Sequence, residues 1–190
     1  MTEFEFVFAL YALLLGLSMV ELLSGFGRTM EYKFARDAEE ATFKIGWLTP
    51  LLAIFVMLDL ISFWIFAWAI RELIEVTSLS VMVVTAFAAS YYLAARLVFP
   101  TRPEAFSNLD EHFYRVRRLV LGILIALVFV QWGYLASQVE LHVLFGNPFS
   151  VVLTAVLLAL MALAMIWKND RLNAALLIAL NVRYVILYTF

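Results

Sequence analysis

The chain has no cysteine. That excludes disulfides, thiolate metal sites, iron–sulfur ligation, cysteine nucleophiles and prenyl or palmitoyl anchors. Two histidines, His112 and His142, are all it offers to a haem or a catalytic metal. They are predicted on opposite surfaces, so they cannot ligate the two faces of one haem. No H-E-x-x-H pair, G-x-G-x-x-G loop or P-loop occurs. Ser24-Gly25 resembles the end of a serine-hydrolase motif, but no intramembrane histidine could act as its base. Charge is scarce as well, at 15% of residues against about 25% in a soluble domain. No cofactor, metal or nucleic-acid partner is expected, and no enzyme site is recognisable.

What the chain does have is apolar: 65% of its 190 residues are hydrophobic, 16% are aromatic, and the mean hydropathy is +0.96. This is the composition of an integral membrane protein. The length suits one compact helical bundle, a single transmembrane domain over 1–190. Thr2-Glu3-Phe4-Glu5 is acidic where a signal peptide is basic, so the first apolar segment is expected to be retained as a helix.

The expected fold is all-α, with six transmembrane helices over about 4–26, 50–70, 78–99, 118–138, 148–167 and 172–190. Thr49 suits an N-cap and Pro50 the first helical position of the second span, while Pro100 stops the third. Two connections promise short amphipathic helices on the cytoplasmic side. In one, Met30, Phe34, Ala38, Ala41 and Ile45 recur at helical spacing with Arg36 and Glu40 at i,i+4, as an interfacial helix or an extension of the first span. In the other, Ser107-Asn108-Leu109-Asp110-Glu111 holds two capping-box registers and should lead into the fourth span. Lys168-Asn169-Asp170-Arg171 joins the last two spans as a tight hairpin.

Eleven of the 13 Lys and Arg fall on one side of this arrangement. The positive-inside rule then predicts a multi-pass protein of the inner (plasma) membrane with both termini away from the cytoplasm. Three helices in each half would be inverted relative to each other, yet no internal repeat supports a duplicated transporter plan.

Functional expectation rests on polar groups inside the spans, which are expensive there. Asp59 lies near the middle of the second span, with Ser62 on the same face. Its only basic candidate partner at similar depth is Arg183, which could otherwise snorkel outward or meet Glu72 or Glu75. Glu21 falls on a small, polar stripe of the first span with Tyr11, Leu14, Ser18 and Gly25. Arg96 falls on a similar stripe of the third with Ser78, Thr85, Ala89 and Tyr92, and Glu21 with Arg96 is the preferred buried pair. Asn181 aligns with Asn173, Leu177, Tyr184 and Tyr188 on a packed face of the last span, roughly opposite Arg183. Gln131, Tyr134 and Gln138 line one face of the fourth span.

Trp47 and Trp167 mark one boundary, while Trp64, Trp68, Trp132, Tyr184 and Tyr188 are weighted toward the other, as an aromatic belt. The fifth span is expected to be the most lipid-exposed. The first expectation for function is a small channel or transporter for protons, ions or a small solute, with Asp59 as its acid and Glu21 with Arg96 as a constriction. The second is a non-catalytic accessory or scaffold subunit of a larger membrane complex, in which the same groups hold helices together. Beyond the lipid bilayer, the partners expected are a second copy of the chain or that complex.

Overall fold

The computed structural model describes residues 3–38, 43–71, 76–137 and 148–189. Expectations that fall on Glu40, Ala41, Glu72, Glu75, Gln138, His142, Gly146 or Asn147 lie outside them. The described chain forms six long helices: α1 (Glu3–Ala38), α2 (Leu48–Ala69), α3 (Ser78–Val98), α4 (Leu109–Ser137), α5 (Pro148–Ile166) and α6 (Asp170–Thr189). A single 3-10 turn, Pro103–Ala105, lies between α3 and α4. All six helices are long and apolar enough to cross a membrane. The described residues thus form a six-helix bundle with the dimensions of a multi-pass membrane protein.

The two segments expected as interfacial helices are continuous with spans. α1 runs unbroken for 36 residues, about 54 Å at 1.5 Å per residue against a hydrocarbon core of about 30 Å. α4 begins at Leu109, nine residues before the apolar run that marks its span in the sequence. Its N-cap is Asn108, whose Oδ1 accepts the Asp110 N–H at 3.0 Å. Ser107 Oγ donates to Glu111 at 3.1 Å.

α2 departs from its expected start. The helix begins at Leu48, so Thr49 and Pro50 lie inside the first turn, and the N-cap position is Trp47, whose side chain makes no capping bond. The cap comes from another helix: Asp110 Oδ1 of α4 accepts the Leu48 N–H at 3.0 Å. Thr49 Oγ1 donates to the Leu109 carbonyl at 3.1 Å instead. Gly46, at φ +68°, makes room for this, because a Cβ there would run into the Asp110 carboxylate. A one-residue parallel bridge aligns the two strands of backbone, with Lys44 N–H on Ser107 O and Leu109 N–H on Lys44 O.

Packing follows the small-residue stripes. On α1 the buried positions are Val7, Tyr11, Leu15, Ser18, Leu22, Gly25 and Thr29, in steps of four and three that alternate from Tyr11 on. This near-heptad spacing keeps one seam against a neighbour, and that neighbour is chiefly α3. Ser18 and Thr29 donate to their own helix, at Leu14 O and Gly25 O, so these two hydroxyls are met within the seam. α2 is the central helix, packed on α1, α3, α4 and α6, while α5 rests on α4 and α6 and is the least covered of the six.

Gly25 is where α1 comes closest to the end of α3: a Cβ built there would lie 2.7 Å from Phe99 Cβ and 2.9 Å from its Cδ2. Gly25→Ala is therefore expected to destabilise by about 1–3 kcal/mol through overpacking. Gly16→Ala, with nothing within 4 Å, should be neutral or stabilising because Ala outranks Gly in helices by about 1 kcal/mol. Thermal stability of the two variants in one detergent checks the contrast.

Candidate functional site

Asp59 sits on the buried side of α2 and is 1% exposed. Its carboxylate receives two hydroxyls from two other helices: Tyr91 of α3 donates to Oδ2 at 2.6 Å, and Tyr184 of α6 donates to Oδ1. Tyr91 and Tyr184 are themselves fully buried, and Tyr11 of α1 lies within electrostatic range. A carboxylate in an apolar interior needs donors on both oxygens. Tyrosine supplies a donor on an otherwise apolar body. The site therefore ties α2, α3 and α6 at one point.

Arg183 is not an ion-pair partner of Asp59. It is 8% exposed and donates from Nε to the Leu153 carbonyl of α5 at 3.2 Å, with its guanidinium 4.7 Å over the Tyr184 ring. It neither snorkels outward nor meets the acid, although its charge is close enough to be felt at Asp59. Tyr184, expected in the aromatic belt, is in the core because Asp59 holds it. Asn181 turns the other way, as its two-residue offset requires, donating to Leu51 O of α2 at 3.1 Å and to Leu177 O at 2.8 Å.

The structure brings Glu21, Arg96 and Tyr92 together. Arg96 Nη1 lies 3.2 Å from Glu21 Oε2, and Tyr92 donates to Glu21 Oε1 at 3.4 Å. The pair is only partly covered, the two side chains being 35% and 24% exposed. Arg96 also reaches Thr101. Gln131 is half-buried on α4 and belongs to neither group.

A second buried centre lies at the start of α4. Arg117 is 1% exposed, and its Nη1 alone serves three acceptors: Ala164 O at 2.7 Å, Trp167 O, and Asn173 Oδ1 at 3.2 Å. Nε and Nη2 are buried without hydrogen-bond partners, and the guanidinium stacks 4.7 Å over the Tyr114 ring. Tyr114 in turn donates to Asp170 at 2.6 Å, Arg118 Nε reaches Met165 O at 3.3 Å, and the His112 ring meets Leu97 O at 3.1 Å. With Asp110 on α2, the first three turns of α4 thus fasten the ends of α2, α3, α5 and α6. The last carbonyls of α5 have no intrahelical donor and sit at the negative end of its dipole, so cations from α4 suit them.

Arg117 is one of the eleven Lys and Arg that the positive-inside count places on one side. The signal of its burial is its spacing: Phe113, Arg117, Val120, Leu121 and Leu124 form one helical stripe, and all of it is buried. Tyr91, which is not on the polar stripe of α3 with Tyr92, lies with Ala88, Ala94, Ala95 and Val98 on its buried face. A cavity of about 240 Å³ opens at the same end of the bundle, between Tyr32, Arg36, Phe43 and Glu104–Ser107, and Asp59 is not in its lining.

The fold and its polar centres define a helical membrane protein whose buried charges are held by tyrosines and carbonyls. Comparison with protein-family models, curated proteins and solved structures finds no match for the chain.

Proposed function

We propose that the protein is a non-catalytic accessory or scaffold subunit that packs against a larger membrane complex. The observation that carries this reading is the state of Asp59: both carboxylate oxygens are occupied by tyrosine hydroxyls from two helices, in a site closed to solvent. A coupling acid has to exchange its proton or ligand with an aqueous path at some stage, whereas a helix lock is best kept dry. The α4 hub supports the same reading, since its charged groups are spent on helix ends. The eleven-to-two division of Lys and Arg supports an inner (plasma) membrane setting, with the α4 hub in the cytoplasm and both termini opposite.

The rival reading, a small channel or transporter for protons, ions or a small solute, draws its support from Glu21, Arg96 and Tyr92, which are exposed enough to exchange partners. Reconstitution into liposomes separates the two. The scaffold reading expects proton, sodium and potassium flux no greater than in empty liposomes, and stoichiometric co-purification with a fixed partner from native membranes. Flux above that background that drops in Asp59→Asn would overturn it, as would recovery of the chain alone under gentle extraction.

A further inference from the structure

Among the described residues, the corner where α4, α5 and α6 meet carries more cations than acids. Arg118 is exposed and, among the described residues, uses only Nε, on the Met165 carbonyl at 3.3 Å. Lys168 and Arg171 are exposed and make no hydrogen bond or ion pair among the described residues. The acids nearby are fewer, Asp170, which accepts the Tyr114 hydroxyl, and Asp110, which caps α2, and neither makes an ion pair with these cations among the described residues. Arg117, beside Arg118, adds a fourth positive charge whose acceptors are neutral. Trp167, 49% exposed, stands next to Lys168, where an indole suits the boundary between headgroups and acyl chains.

Below this corner runs the outer face of α5, the least covered helix, with Val152, Val156 and Ile166 exposed. Positive charge at one end of an uncovered apolar face matches a molecule that is anionic at its head and aliphatic along its length. We propose that this corner is a binding site for an anionic phospholipid, its phosphate held by Arg118, Lys168 and Arg171 and its acyl chains laid along α5. The charge complementarity selects the lipid over a second copy of the chain, which would bring the same cations face to face. The inference rests on the helices spanning a bilayer and is independent of whether the protein is a scaffold or a transporter.

Native mass spectrometry of the purified chain in neutral detergent tests it, with titration of palmitoyl-oleoyl phosphatidylglycerol and, separately, of the matching phosphatidylcholine. Phosphatidylglycerol should bind at least tenfold more tightly. A basic residue near a membrane surface contributes enough to make each lost charge worth about fivefold, so Lys168→Gln with Arg171→Gln should weaken phosphatidylglycerol binding by about 25-fold. Among the described residues these two side chains have no partners to lose, so the fold should persist, as the helical circular dichroism of the variant checks. Lys44→Gln with Arg102→Gln, two exposed cations outside the corner, should leave the affinity unchanged. Equal binding of the two lipids, an equal loss in the control pair, or wild-type affinity in the corner pair would each overturn the proposal.

Discussion

Exchanging Asp59 for alanine is expected to lower the unfolding free energy of the bundle by about 3 kcal/mol, read from SDS-driven unfolding in mixed micelles. The loss comes from what is left behind more than from the bonds removed. Tyr91 and Tyr184 are buried to 0% and 1% exposure, and their hydroxyls would have no acceptor. A buried donor stranded in this way costs about 1–3 kcal/mol, whereas an interhelical hydrogen bond in a membrane bundle averages only about 0.6 kcal/mol. Asp59→Asn keeps one carbonyl to accept a hydroxyl and an amide to donate to the other, so it should cost about 1 kcal/mol.

Removing the stranded hydroxyls should repair the damage. Tyr91→Phe with Tyr184→Phe in the Asp59→Ala background is expected to recover more than half of the lost stability, because an all-apolar site leaves nothing unmet. If Asp59→Asn proved as damaging as Asp59→Ala, negative charge and not hydrogen bonding would be what the site requires. The helix-lock account would then fail.

The contrast between Asp59 and its partners shows where sequence reading stops. Asp59 announces itself because a carboxylate in an apolar run has no cheap explanation. Its partners do not, because Tyr91 and Tyr184 look like two more aromatics among many, and which of them meets α2 depends on which helices are neighbours. The Glu21 and Arg96 contact was legible because both residues fall on polar stripes with regular spacing, and α1 packs on α3 along those stripes. The six helices were legible for the same local reason, since each is an apolar run long enough to cross a bilayer.

Helix starts were less so. Thr49-Pro50 is a good local N-terminus, but Asp110, sixty residues on and expected to cap its own helix, accepts the Leu48 N–H of α2. Local propensity could not weigh that. The tertiary contact moves the helix start forward by two residues and demands a left-handed glycine at position 46.

Arg117→Met is expected to cost about 3 kcal/mol and to loosen the turn between α5 and α6, seen as faster amide exchange around residues 164–173. Three acceptors take a bond from Arg117: the Ala164 carbonyl, the Asn173 side chain, and the Trp167 carbonyl, which also accepts the Asn173 amide at 2.8 Å. The geometry adds a sharper expectation. Arginine and lysine are seldom interchangeable where the guanidinium fork is used, because a point-like ammonium cannot imitate it. Here the fork is not used, since all three bonds come from Nη1 while Nε and Nη2 have no partners. A lysine ammonium carries three donors on one nitrogen and relieves two buried N–H groups. Arg117→Lys should therefore retain most of the stability, within about 1 kcal/mol of the parent. A lysine variant as unstable as the methionine one would mean that stacking on Tyr114, and not donation to the end of α5, is what holds the corner.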